Sequence, residues 1–111
     1  MQKSIKNYKD LQDLLNSFVG VNNLTPGLAP HGVFWNTLSY QQFVTGNVPG
    51  IGVPILVKGN SAKSNLVQVL NGTSTNFPQM PQPNPPYSAN TPSQDDVISQ
   101  VSAWIDAGCP N

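Results

Sequence analysis

The chain offers few side chains that could do chemistry. It has one cysteine (Cys109) and one histidine (His31), its acids are five aspartates, and its bases are five lysines. A nucleophilic site would therefore have to combine Cys109 with His31 and an aspartate. Cys109 follows a predicted helix C-terminus, where the helix dipole disfavours a thiolate. Asp95 and Asp96 are better explained as helix capping than as an acid–base pair, so these residues favour a binding protein over an enzyme.

Composition excludes several classes of protein. A formal net charge of zero, with no arginine among the bases, gives no electrostatic footprint for nucleic acid. A single cysteine cannot build a disulfide framework or a multi-cysteine zinc site. No apolar run reaches the roughly 18 residues of a membrane span, and the first residues lack a signal-peptide core. The uncharged, Asn-rich character mildly suggests a periplasmic or extracellular location, where Cys109 could link two chains in a disulfide-bonded dimer.

Hydrophobic spacing predicts about four helices joined by long Pro/Gly-rich loops. Apolar residues recur at three- and four-residue steps in the first and last helices, which indicates one buried face on each. The predicted helices run from Ser4 to Val19 with Gly20 as the stop, from the Ser39 cap to Thr45, from Asn60 to about Leu70, and from the Ser93 cap to Gly108. The prediction is a single all-α domain over residues 1–111.

The connecting segments are rich in proline and glycine. Residues 20–38 are predicted to be irregular, and 46–59 to be an extended loop, because a lone strand there has no partner. Residues 77–92 carry six prolines and are predicted to be an ordered loop or a polyproline stretch. The triplets Asn23-Leu24-Thr25 and Asn71-Gly72-Thr73 match the N-glycosylation pattern, although such matches arise by chance in an Asn-rich chain.

Four short motifs, taken in order, resemble the small c-type cytochromes. His31-Gly32 stands where that family has His-Gly. The other three motifs are the helix start Gly59–Leu66, the axial-methionine loop Phe77-Pro78-Gln79-Met80-Pro81 and the helix end Trp104-Ile105-Asp106-Ala107-Gly108. The resemblance covers most of residues 5–110. It implies a small cytochrome-c-like bundle in which His31 and Met80 are the axial heme ligands.

The chain departs from that family at the heme-attachment motif. Aligned on His31, the two attachment cysteines would occupy positions 27 and 30, where this chain has Gly27 and Pro30. Without thiols there can be no thioether bonds to heme. The chain is thus similar to cysteine-free modules of this kind in bacterial proteins, and the resemblance implies a retained helical frame without the covalent cofactor.

Three interpretations follow. The first is a non-catalytic, heme-free interaction or accessory module that binds another protein, with interior space filled by rings such as Phe34, Trp35, Phe43 and Phe77. An exposed aromatic patch at Phe34, Trp35 and Tyr40 would then be the partner-binding surface.

The second interpretation is an electron-transfer protein that binds heme non-covalently through His31 and Met80. A copper site formed by His31, Met80 and Cys109 has soft ligands but lacks the second histidine of blue-copper proteins. The third is a small enzyme that uses Cys109 and His31.

Overall fold

Helices dominate the computed structural model, which describes residues 5–24, 34–50, 52–74, 79–80 and 87–111. Over these ranges the chain forms five α-helices and one 3-10 turn. They are α1 (Tyr8–Val21), α2 (Phe34–Thr37), α3 (Tyr40–Thr45), the 3-10 turn (Ser61–Lys63), α4 (Asn65–Asn71) and α5 (Gln94–Asp106). The predicted helical class is confirmed, and the described ranges contain no strand, only an isolated antiparallel bridge between Asn47 and Pro54.

Helix α1 begins and ends later than its sequence pattern predicts. Asn7 caps it by accepting a hydrogen bond from the Asp10 N–H, and Ser4 lies outside the described residues. The predicted stop at Gly20 is wrong, because Gly20 lies within the helix. The helix ends instead at Val21, and Asn23, whose φ is 54°, turns the chain so that the Leu24 N–H donates to the Val19 carbonyl at 2.9 Å.

Helix α2 was not expected, because residues 20–38 are predicted to be irregular. Its four residues begin with Phe34 and Trp35, and both side chains are buried. The Tyr8 hydroxyl donates to the carbonyls of Trp35 and Leu38, each at 2.9 Å, and so satisfies polar groups at the end of this short helix. Tertiary contacts from α1 therefore stabilise an element that local propensity does not indicate.

Helix α3 follows directly and matches its prediction. The Ser39 hydroxyl accepts from the Gln42 N–H at 3.2 Å, and the Gln42 side chain accepts from the Ser39 N–H at 3.0 Å. This reciprocal capping box begins the helix at Tyr40. Gly46 lies just beyond its end at Thr45, as expected.

The third predicted helix is divided in two. Ser64 separates the 3-10 turn from α4, and its side chain is fully buried. The Ser64 hydroxyl accepts from the Val57 N–H at 2.8 Å and donates to the Asn60 carbonyl at 2.9 Å. These bonds hold the preceding loop against Ser64. The helix is therefore interrupted here, where the sequence pattern predicts a continuous one. Gly72, with φ of 78°, ends α4 as expected.

Helix α5 confirms the clearest prediction from the sequence. Ser93 and Asp96 form a capping box at its start. Val97, Val101, Trp104 and Ile105 are buried along one face of the helix. They join residues from every other α-helix in one hydrophobic core. None of the helices in the described ranges has the length and apolar character needed to cross a bilayer.

One buried amide anchors both described ends of the proline-rich region. The Gln94 side chain is fully buried and donates to the Leu70 carbonyl at 2.8 Å and to the Met80 carbonyl at 2.6 Å. Its oxygen accepts from the Tyr87 N–H at 3.0 Å. Gln94 therefore ties residues before and after 81–86 to α4 and α5, while half of the predicted polyproline segment (77–78 and 81–86) lies outside the described residues.

Replacing Gln94 tests this anchoring role. Gln94→Leu keeps a similar side-chain volume but leaves buried groups at Leu70, Met80 and Tyr87 without this partner. We expect the free energy of unfolding to fall by about 1–3 kcal/mol, as measured by urea denaturation. Gln41→Leu, at an exposed position on α3, is the matched control and should change stability by less than about 0.5 kcal/mol. Equal effects of the two substitutions would contradict the role of Gln94.

Candidate functional site

Five aromatic rings pack together in the interior and form what we call the Phe43 cluster (Tyr8, Phe34, Trp35, Phe43 and Trp104). The ring centroid of Phe43 lies 5.1 Å from that of Tyr8, 5.8 Å from that of Phe34 and 6.4 Å from that of Trp104. Phe34 also packs edge-on against Trp35 at 5.4 Å. Aromatic rings from α1, α2, α3 and α5 therefore contact one another in the interior.

This packing changes the expectation for the aromatic patch. Phe34 and Trp35 are only 6% and 7% exposed, so they do not form the exposed patch that the sequence suggested. Tyr40 is half-buried, and its hydroxyl donates to the Cys109 carbonyl. Phe34 and Trp35 therefore belong to the hydrophobic core. A partner protein would contact the exposed residues next to them instead. Partner binding at this place stays a prediction.

The surface above Trp35 is formed by side-chain amides. The Trp35 indole N–H donates to the Asn16 side-chain oxygen at 2.8 Å, and Gln12 donates to the Trp35 carbonyl at 2.8 Å. Asn16 and Asn36, both exposed, donate to each other's amide oxygens. This arrangement is not among the features predicted from the sequence. The four-residue spacing of Gln12 and Asn16, which places both on one side of α1, was the available signal.

No charged residue lies between Asp13 and Lys58. The exposed residues of the α2–α3 region and of the loop after it are therefore all uncharged, and we call them together the uncharged face. Its exposed residues in the described part of the chain are Asn36, Thr37, Ser39, Gln41, Gln42, Thr45, Asn47, Gly50, Gly52, Pro54 and Val57. The surface offers hydrogen-bonding groups without the desolvation cost of ionised side chains.

Cys109 is fully buried directly beyond α5. Burial raises the pKa of its thiol, an effect opposed by the nearby charge of Lys58. The Cys109 N–H donates to the Trp104 carbonyl at 3.0 Å, and the Trp104 indole donates to the Pro110 carbonyl at 2.8 Å. The thiol is thus held protonated and shielded, so the disulfide-linked dimer expected from the sequence would require this end of the chain to open.

Of the two expected heme ligands, the structure describes only Met80. Met80 is half-buried, its N–H donates to the Val69 carbonyl at 2.6 Å, and its own carbonyl accepts from Gln94. His31 lies outside the described residues, as do Gly27, Pro30 and Phe77. Axial pairing of His31 with Met80, and an enzyme site of His31 with Cys109, therefore stay predictions.

The acidic residues serve structural roles where the structure describes them. The Asp96 carboxylate accepts from the Ser93 N–H at 3.0 Å, which confirms its interpretation as a capping residue, and Asp95 lies beside it in the first turn of α5. The Asp106 carboxylate accepts from the Ser61 N–H and hydroxyl at 2.8 and 2.9 Å. Among the residues described, no three histidine, cysteine or acidic side chains cluster in a way that could hold a metal ion.

Comparisons with known proteins identify no relative. No family model, curated protein or solved structure matches this chain. The resemblance to c-type cytochromes accordingly depends on the sequence motifs alone. The class that the structure itself defines is a small helical protein with aromatic rings in its core and uncharged exposed side chains on α2 and α3.

The burial of Cys109 predicts slow reaction with a thiol reagent. Native protein should react with a disulfide-exchange reagent far more slowly than protein unfolded in urea, because attack requires an exposed thiolate. Tyr40→Phe removes the hydroxyl that holds the Cys109 carbonyl and should raise the native rate about fivefold. Gln41→Leu, on the same helix, should leave the rate unchanged. A native rate equal to the unfolded rate would show that the thiol is accessible.

Proposed function

We propose that this chain is a non-catalytic, heme-free protein-interaction or accessory module on a cytochrome-c-like helical frame. The observation that carries the proposal is the Phe43 cluster, in which the protein's own rings occupy the interior between α1, α2, α3 and α5. Each such aromatic pair adds about 0.5–1.5 kcal/mol beyond the burial of its surface. A frame stabilised in this way holds its helices together without a cofactor.

The absence of a catalytic role is supported by how the reactive residues are used. Cys109 is fully buried, and its thiol pKa is raised by that burial, whereas a nucleophilic cysteine needs a lowered pKa and access to substrate. Asp96 and Asp106 accept backbone hydrogen bonds that begin local structure. These groups stabilise the fold, which leaves binding as the better-supported activity.

The uncharged face is the surface that we assign to the partner. Interfaces between proteins are depleted of charged residues at their centres, where ionised groups would lose water without full compensation. The α2–α3 region meets that condition, and the buried rings of Phe34, Trp35 and Phe43 lie directly beneath it. Tyr40, which is half-buried there, can contribute an amphipathic ring to the interface. The partner class is another protein that presents a neutral polar surface.

Site-specific photocrosslinking in the source cell tests this assignment. A photoreactive phenylalanine analogue placed at Gln41, which is exposed on α3, should give one discrete adduct of higher mass on illumination. The same analogue at Ser99, which is exposed on α5, is the matched control and should give little or no adduct.

Mass spectrometry of the crosslinked peptide then identifies the partner. A second insertion at Thr37 should yield the same partner, because Thr37 and Gln41 both lie on the uncharged face. Absence of adducts from both positions, or equal adducts from Ser99, would contradict a protein partner at this face.

A further inference from the structure

The C-terminal end of α4 carries the only Asn-Gly pair in the sequence, Asn71-Gly72. Asn71, Gly72 and Thr73 are all exposed. Gly72 has no side chain to screen its backbone nitrogen, and its φ of 78° turns the chain away from the helix. An unscreened nitrogen next to an asparagine amide is the arrangement from which a cyclic imide forms.

The amide oxygen of Asn71 accepts two hydrogen bonds from Thr73. The Thr73 hydroxyl donates to Oδ1 at 2.6 Å, and the Thr73 N–H donates to the same oxygen at 3.0 Å. Two donors on one carbonyl oxygen draw electron density from Cγ and stabilise the negative charge that develops on the oxygen when a nucleophile adds to it. The two Thr73 donors thus surround the Asn71 amide oxygen as the donors of an oxyanion hole would.

Hydrogen bonds to the Gln68 carbonyl oppose the reaction, because the Thr73 and Ser74 N–H groups also donate to it, at 3.0 and 3.3 Å. The Gly72 N–H donates to the Gln68 carbonyl, so attack by this nitrogen requires the last turn of α4 to open. Helix α4 has seven residues and its last residue is exposed, and such ends open at a cost below that of global unfolding. The Thr73 N–H is shared between the Gln68 carbonyl and the Asn71 amide oxygen, so opening the turn leaves both Thr73 donors to the amide.

We propose that Asn71 is a site of spontaneous deamidation in the folded protein. The Gly72 nitrogen attacks Cγ of Asn71. A bond from nitrogen to Cγ forms, the bond from Cγ to Nδ2 breaks, and Nδ2 leaves as ammonia with the proton of the Gly72 nitrogen. Water then adds to one carbonyl of the cyclic imide and breaks its bond to nitrogen, which gives aspartate or isoaspartate.

Deamidation changes the charge and the local packing of the chain. It adds one negative charge to a protein whose formal net charge is zero. The new carboxylate lies at the C-terminal end of α4, where the helix dipole is already negative, so the product is less stable than the parent. Isoaspartate also adds one backbone atom between residue 71 and Gly72, directly before the N–H that donates to the Gln68 carbonyl.

To test the proposal, purified folded protein is incubated in mildly alkaline buffer and sampled over time. Ion-exchange chromatography should resolve an acidic species that grows with time, and peptide mass mapping should place the exchange of NH2 for OH at Asn71. Thr73→Val keeps the side-chain shape but removes the hydroxyl donor, and it should slow the conversion about fivefold. Thr45→Val, at an exposed position on α3, is the matched control and should leave the rate at Asn71 unchanged.

Repeating the measurement in urea separates folded geometry from intrinsic sequence reactivity. In urea, wild type and Thr73→Val should convert at the same rate, because the arrangement around Oδ1 is lost. Conversion of Asn71 in urea but not in the folded protein would overturn the proposal. Equal rates of wild type and Thr73→Val in the folded state would overturn it as well.

Discussion

The packing of rings around Phe43 is the interaction on which the rest of the structure depends. Phe43 is fully buried and contacts rings from α1, α2 and α5. Helices α2, α3 and α4 have four, six and seven residues, too short to be stable alone in water. Their stability must come from tertiary contacts, which for α2 and α3 include the ring contacts of the cluster. Removal of this centre would therefore affect several elements together.

Hydrogen bonds from uncharged side chains also connect the elements of the fold. Gln94 joins the residues before and after 81–86 to two helices, and Gln12 with Asn16 joins α1 to α2. The Lys9–Asp13 ion pair is exposed, and pairs of that kind contribute only about 0–1 kcal/mol. Within the residues described, every buried side-chain nitrogen or oxygen has a hydrogen-bond partner. Amides and hydroxyls can therefore replace charge in this chain without leaving buried polar groups unsatisfied.

Sequence reasoning succeeded where the controlling interaction is local. The capping boxes at Ser39 and Ser93 lie within three residues, so α3 and the start of α5 could be predicted. Elements whose formation depends on residues distant in sequence could not be predicted. Helix α2 depends on Tyr8, and the break before α4 depends on the bond between Ser64 and Val57. For Phe34 and Trp35, an apolar ring is equally compatible with a core and with a binding patch, and only the three-dimensional packing distinguishes them.

The most direct measurement is a spectral titration of the purified protein with hemin. An interior occupied by the protein's own rings predicts no shifted Soret band and no difference between wild type and His31→Ala. A saturable Soret shift at one hemin per chain that is lost in His31→Ala would contradict a heme-free interior and restore the electron-transfer interpretation.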